Sequence, residues 1–382
     1  MHAAGFEVRG AVEYDKYACD TYKYNFPRVP LFEGDIHDFM TDKKAVAGYV
    51  QEGLDVVFGG PPCQGFSQIG TRKLDDARNE LYKQYTRVIA QAKPRLFLME
   101  NVPNLAMMNK GHFKELILSE FAGMGYSNVI MLRVSADDFG VPQARQRIIF
   151  VGTRDQEKFP FDLAAFCGEV LDKLRVKKSV TVGEAIDDLP EQVVDSGELM
   201  PYVKTAKPSS FMREMRLDYD GKIYSKSAKR ERGLGAAKAV LHNQHTKEIQ
   251  ARRAHLISLL EPGKKADSLP KEIWDGKRPE KWRRLHPDRP SYTILAHMHR
   301  DLSEWVHPRL NRWITVREAA RLQSFHDGFV FRGSEWQQLK QIGNAVPPLL
   351  GRALGILAAE ILAQTPANKK SGATAKTTLS RP

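Results

Sequence analysis

The chain predicts an α/β fold: a doubly wound, mostly parallel sheet with a second, smaller domain. Three observations carry this. Between Glu7 and about Thr153, short apolar runs alternate with helical stretches. From roughly 155 to 300 the alternation yields to short segments rich in Lys, Arg, Tyr and Pro. After about 305 a helical pattern returns and holds to Ala363. The expected divisions are residues 1–154, 155–304, a segment 305–363 that rejoins the first domain, and a small, polar, basic tail at 364–382.

The expected strands are VRGAVEY (8–14), LFEGDI (31–36), LDVVFGG (54–60), RLFLMENV (95–102), NVIMLRVSA (128–136) and RIIFVGT (147–153). Helical patterns lie between them, as in ARNELYKQYTRVIAQA (77–92) and GHFKELILSEFAGMG (111–125). Near-continuous apolar strands separated by helices read as a sheet covered on both faces. Ligands of such sheets bind beyond the carboxyl ends of the strands, where Asp35, Cys63 and Glu100 fall. Downstream, Thr315 and Glu318 form a capping-box pair that starts a helix in LNRWITVREAARLQSF (310–325). A last apolar helix is expected from about Pro347 to Ala363.

Composition excludes several classes. No run of eighteen apolar residues suggests a membrane span, and MHAAGFEVRG lacks the pattern of a signal peptide. Three cysteines (Cys19, Cys63, Cys167) with no CxxC spacing argue against a disulfide framework and a zinc site. A reducing cytoplasm and no metal are therefore expected.

The net charge of +12 is concentrated. Residues 201–300 hold 23 Lys and Arg against 11 Asp and Glu, leaving 35 of each sign elsewhere. One segment carries the whole surplus, which points to a polyanionic partner whose counterions it would release. Lys204, Arg213, Arg252, Arg253, Arg283 and Arg284 are candidate phosphate contacts.

The stretch LDVVFGGPPCQGFS (54–67) places a thiol directly after two glycines and two prolines. A cysteine between a strand end and a helix start faces backbone N–H groups that stabilise a thiolate. Pro61 and Pro62 restrict the backbone before it. A lone cysteine is more often an inert core residue; its neighbours here change that reading.

PPCQGFS, ENV (100–102) and QARQR (143–147) together resemble the cytosine-5 DNA methyltransferases of bacterial restriction-modification systems. AVEYDKYACDTYKYNFP (11–27), GDI (34–36), HPRLNRWITVREAARLQSFHDGF (307–329) and QIGNAVPPLLGRALG (341–355) continue the resemblance in the family's order. It implies a Rossmann-like, S-adenosylmethionine-dependent methyltransferase fold whose basic segment is a target-recognition domain. Cys63 would be the nucleophile that adds to carbon 6 of a flipped-out cytosine. Glu100 would contact N3 and the exocyclic amine. Arg145 and Arg147 would hold the base, Glu100 or a phosphate, with Gln143 a weaker candidate for a structural or nucleic-acid contact. S-adenosylmethionine would be bound by Glu13, Tyr14, Asp35, Ile36, Pro62, Leu81, Asn344, Ala345 and Val346. The implied partner is duplex DNA, the expected state a monomer in the bacterial cytoplasm, and a companion restriction endonuclease would be encoded nearby.

One departure stands out. The family opens with a strand and a glycine-rich turn of the form F-x-G-x-G, and nothing of that form precedes Gly5. In the family that strand lies between those carrying Glu13 and Cys63. The expectation is that Met1 is an internal methionine and that the complete protein starts about twenty or more residues earlier. Two other functions compete: a tRNA cytosine-5 methyltransferase, which would share PPCQ and ENV, and an inactive remnant that binds DNA through its basic segment. The roughly 150-residue variable segment suits duplex readout better than tRNA.

Overall fold

The computed structural model describes residues 1–50, 53–61, 80–107, 111–157, 159, 161–201, 207–216, 240–274, 282–298 and 304–364. The chain opens with a strand–helix–strand unit. Strand β1 (Ala11–Glu13) pairs in parallel with β2 (Leu31–Glu33), with Glu13 opposite Glu33. The intervening helix, Lys16–Asn25, starts at Asp15, whose carboxylate accepts from Tyr17 N and Ala18 N. Such a cap satisfies amide donors that the helix cannot pair itself.

The larger sheet has the order β3-β4-β6-β5. Strand β3 (Val56–Gly59) runs parallel to β4 (Leu96–Asn101), joined through the helix Glu80–Ala92. From β4 the chain crosses by the helix His112–Gly123 to β5 (Asn128–Ser135). Strand β6 (Gln146–Thr153) then slots between them, antiparallel to both. The connection 136–145 is too short for a helical crossover, so β6 must reverse direction. The sheet is thus mixed rather than uniformly parallel. Strands β1 and β2 form a ladder of their own, and among the described residues no ladder joins β1 to β3.

Burial follows the two-residue period of β4. Leu96 and Leu98 enter one core with Ile149 and Val151, while Phe97 and Met99 enter the other with Ile148 and Phe150. Phe97 stacks on Phe121 with ring centroids 4.2 Å apart. It also lies across Gly152, its cross-strand neighbour, where an added Cβ would fall 2.0 Å from the ring. Phe97 is wholly buried, worth about 1.5–3 kcal/mol relative to exposure.

Beyond residue 155 the chain is more regular than its sequence suggests. The helix Leu163–Leu174, capped by Asp162, buries Leu163, Cys167, Val170 and Leu171. They belong to the same core as Leu96 and Leu98, so this part of the expected second domain packs with the sheet. A separate cluster gathers Leu256, Ile257, Leu260, Ala266, Leu269, Trp282, Val306 and Trp313. The capping box of Thr315 and Glu318 is present as read from the sequence.

The C-terminal helix runs Pro348–Ala363. The stretch Glu335–Ala363 is long and apolar enough to cross a membrane by length and composition. Leu350, Leu354, Leu357 and Ile361 are instead buried in the core that covers the sheet. The first helix is fastened to this end of the chain: Asn25 Nδ2 donates to Val330 O at 2.8 Å, and Val330 N returns a bond to Asn25 Oδ1 at 3.0 Å.

Candidate active site

At the carboxyl end of β4, Glu100 and Asn101 do two separate jobs. Glu100 Oε1 pairs with Arg147 Nε at 2.7 Å. The two side chains are only 15% and 11% exposed, respectively. Burial pushes the Glu100 carboxyl above its ordinary range, while Arg147 and Arg145 oppose that rise. Gly60, at the end of β3, leaves room for this carboxylate: a Cβ there would lie 3.0 Å from Glu100 Oε2. Asn101 instead donates from Nδ2 to Pro61 O at 2.8 Å. It thereby fixes the backbone two residues before Cys63. Cys63 and Pro62 themselves lie outside the described residues.

Arg147 also donates to Gln146 O at 2.6 Å. Arg145 is more deeply buried, and its guanidinium reaches far along the chain. Nη1 donates to Ile294 O at 3.0 Å, and Nη2 to Gly343 O at 2.9 Å and Ala345 O at 3.3 Å. Its Nε is buried with no hydrogen-bond partner among the described residues. Burial, with Arg147 nearby, lowers the pKa of Arg145. Gln143 is fully buried and bonded within the protein, the structural one of its two expected roles.

The residues expected around the cofactor come from several parts of the chain. Glu13 Oε1 accepts from Tyr14 N and Asp15 N, both at 2.9 Å, which holds the carboxylate at the end of β1. Tyr14 beside it is 70% exposed. Asp35 caps the helix Ile36–Thr41 by accepting from His37 N at 2.7 Å. His37 Nδ1 meets Gln84 Nε2 at 3.2 Å, tying this helix to Glu80–Ala92, which carries the half-buried Leu81. Ile36 is half-buried as well.

Asn344 closes the helix Glu335–Asn344, and the half-buried Ala345 and Val346 follow. An ion pair of 2.6 Å joins Lys340 on this helix to Asp15. Lys340 stands one helical turn before Asn344 and so shares its face. Asp15 lies two residues past Glu13, so this pair draws the end of β1 toward the 344–346 segment. Sequence reading did not single out Asn101, Asp15 or Lys340, whereas the two glycines before PPC, Gly60 among them, were expected to allow a close approach. Asn101 lies within ENV, so motif position was a signal for it.

The basic segment needs one correction. Arg284, expected to meet phosphate, is buried and donates to Ile257 O, Leu260 O, His307 O, Leu310 O and Asn311 Oδ1. A guanidinium with its donors so engaged holds loops together and has little left for DNA. Arg283, next to it, lies over the ring of Tyr292 at 3.9 Å, and Tyr292 is 41% exposed. Arg213 donates to Pro208 O, and Arg253 stands 3.8 Å from Glu304. Lys204 and the Arg252 side chain lie outside the described residues.

Known proteins resemble this chain along most of its length. The family model for C-5 cytosine-specific DNA methylases matches residues 1–357. The type II methyltransferase M.AgeI of Thalassovita gelatinovora is 34% identical, covering 92% of this chain and 94% of its own. M.XorII of Xanthomonas oryzae pv. oryzae is 33% identical, covering 92% and 79%. Among solved structures, a prophage-encoded E. coli protein described as a DNA modification methyltransferase matches with TM-score 0.74 at 27% identity, over 94% of each chain. The Dnmt2 methyltransferase of S. pombe, at 16% identity and TM-score 0.55 over 95% of each chain, shares the fold. With its glutamate and arginine paired at the strand ends and the family match running almost its whole length, the chain belongs to the C-5 cytosine-specific DNA methylases.

Proposed function

We propose that this enzyme methylates carbon 5 of a flipped-out cytosine in a specific duplex DNA sequence, through a covalent bond between Cys63 and carbon 6. The observation that carries this reading is the buried Glu100–Arg147 pair beside a Pro61 carbonyl held by Asn101. It supports a carboxyl and a thiol working on the same ring. The Cys63 thiolate would add to carbon 6, moving the electrons of the 5,6 double bond onto carbon 5. Glu100, whose pKa burial raises, would donate its proton to N3 and so lower the charge built up in the ring. Carbon 5 would then take the methyl group, its donor leaving as the neutral thioether; return of the N3 proton to Glu100, loss of the carbon 5 proton to solvent and expulsion of the Cys63 thiolate would restore the double bond. Arg147 would hold Glu100, and the Arg145 Nε–H, which has no hydrogen-bond partner among the described residues, would be left for the base or a nearby phosphate.

S-adenosylmethionine, when bound, supplies an electrophilic methyl group on a sulfonium. The residues fit it. Glu13 presents a carboxylate fixed by two amides at a strand end, with Oε2 outside those bonds, which suits a vicinal diol. Asp35, Ile36, Leu81 and the 344–346 segment would hold the remainder, with Pro62 and Tyr14 alongside. The basic segment would read the DNA, acting on chromosomal DNA in the bacterial cytoplasm. The type II names of its relatives support a partner endonuclease encoded with it.

The test is transfer of a labelled methyl group from S-adenosylmethionine to unmethylated duplex DNA, with Cys63→Ser as control. The expected result is transfer to duplex DNA that disappears in the Ser variant. Transfer that survives Cys63→Ser would remove the covalent route. Label appearing on tRNA and not on duplex DNA would move the enzyme to the other substrate class.

A further inference from the structure

Two buried amides meet behind the strand ends. Gln143 and Gln323 have no solvent exposure. Gln143 Oε1 accepts from Ile294 N at 3.0 Å, and its Nε2 donates to Leu322 O at 3.2 Å and to Gln323 Oε1 at 2.5 Å. Gln323 Nε2 in turn donates to Ile342 O at 3.0 Å and Ala345 O at 2.8 Å. Arg145 closes the circuit, since it donates to both Ala345 O and Ile294 O. The ring therefore grips the N–H and the C=O of Ile294 and returns through the carbonyl of Ala345.

Its direction is set by chemistry. At one end stand only carbonyls, which accept; at the other stands the Ile294 N–H, which donates. Reversing either amide would face oxygen with oxygen or N–H with N–H, so each has one usable orientation. The contact is also close in space. A Cβ on Gly343 would lie 2.4 Å from Leu295 C and 2.5 Å from Ala296 N, so the 295–296 backbone rests directly on Gly343. The same segment runs beside the catalytic stretch, with Gln143 bridging to Ser291. It cannot shift without disturbing 342–345.

We propose that Gln323 is a positioning residue through which duplex DNA held by the basic segment and cofactor held at Asn344–Val346 strengthen each other's binding. The proposal rests on the functional reading above. Gln323 touches neither ligand in this scheme; it acts through Ala345 on one side and, by way of Gln143, through Ile294 on the other. Coupling between two binding sites is reciprocal. DNA must therefore tighten the cofactor site by the same factor with which the cofactor tightens DNA.

The experiment uses S-adenosylhomocysteine, which cannot transfer a methyl group, and duplex DNA that accepts methyl groups in the transfer assay. Affinity for each is measured with and without the other, for the unaltered chain, Gln323→Met and Gln143→Met. The unaltered chain is expected to show mutual tightening of about fivefold or more. In either Met variant the factor should fall to about one, with the affinities measured singly far less affected. A folded variant that keeps the full factor overturns the proposal, as does an unaltered chain that binds the two independently. If both variants fail to fold, hydrogen exchange of the unaltered chain decides: S-adenosylhomocysteine alone should slow exchange at residues 291–296, and unchanged exchange there sinks the idea. An unaltered chain that binds neither ligand would instead remove the functional reading itself.

Discussion

The Asn101 amide donates to the carbonyl of Pro61 at 2.8 Å, from a side chain that is itself buried. The strand that carries Glu100 thus also fixes the backbone of Pro61, two residues before Cys63. Replacing Asn101 with Leu would remove this donor. Losing a buried hydrogen-bond partner costs about 1–3 kcal/mol. If most of that falls on the placing of Cys63, kcat for methyl transfer should drop by about one to two orders of magnitude. The affinity for S-adenosylhomocysteine should change little; an unaltered kcat would show that Cys63 is placed by other means.

Glu100 and Arg147 give a prediction in pH. Burial holds the Glu100 proton above the ordinary carboxylate range, and Arg147 opposes that shift. If the protonated form works, methyl transfer should decline as pH rises past the pKa of Glu100. Arg147→Met removes the opposing charge, so the same decline should move to higher pH. Glu100→Gln should abolish it and lower kcat by about 10²–10⁴-fold. Rate profiles against pH for the three proteins test this, and a decline that stays put in Arg147→Met counts against Glu100 as its source.

His307 is a structural titrating group. Its Nδ1 accepts from Arg309 N and Leu310 N, both at 3.1 Å, and burial pushes its pKa from 6.5 down to about 4, although Glu318 opposes the drop. Between those values the unfolded chain binds a proton that the folded chain refuses. The stability from neutral His307 is therefore fully present above about pH 6.5 and is lost as pH falls toward about 4. At 1.36 kcal/mol per unit the loss is about 3 kcal/mol. His307→Asn keeps an acceptor for the turn and should flatten this part of the curve, measured by urea unfolding at stepped pH.

Arg321 is wholly buried and ion-paired with two carboxylates, Asp188 at 3.0 Å and Asp327 at 2.5 Å. Asp188 is shared with Arg216 at 2.6 Å. Arg321→Met would take from Asp188 and Asp327 the guanidinium they share in the interior, and breaking a buried pair in this way costs about 3–5 kcal/mol. A urea midpoint within error of the original would contradict it.

Strands β3 to β6 were legible because each contains an apolar run, and such runs depend only on local pattern, whereas β1 and β2 occupy only three residues each of the stretches 8–14 and 31–36. The Thr315–Glu318 cap was legible for the same reason. The helix Leu163–Leu174 carried a usable signal, Asp162 before an amphipathic stretch, but the charge-rich context on both sides obscured it. Arg145 shows the deeper limit. Its motif marks it as special, yet its acceptors are carbonyls 149–200 residues away, and backbone oxygens have no sequence signature. Arg284 misled for a related reason: a guanidinium that braces loops from inside looks, in sequence, like one that meets phosphate.

Asn25 and Val330 exchange two hydrogen bonds across 305 residues. A ribosome adding about 5–20 residues per second needs roughly 15–60 seconds to travel that distance. During that time the first helix waits, its buried amide without the backbone it is built to grip. The Asp15–Lys340 pair waits too. A nascent chain stopped before residue 330 holds Glu13, Asp35, Glu100 and Arg147 but lacks the surface against which the first helix packs. Synthesis order thus acts as a timer, keeping the first and last parts of the site from meeting until nearly the whole protein has been made.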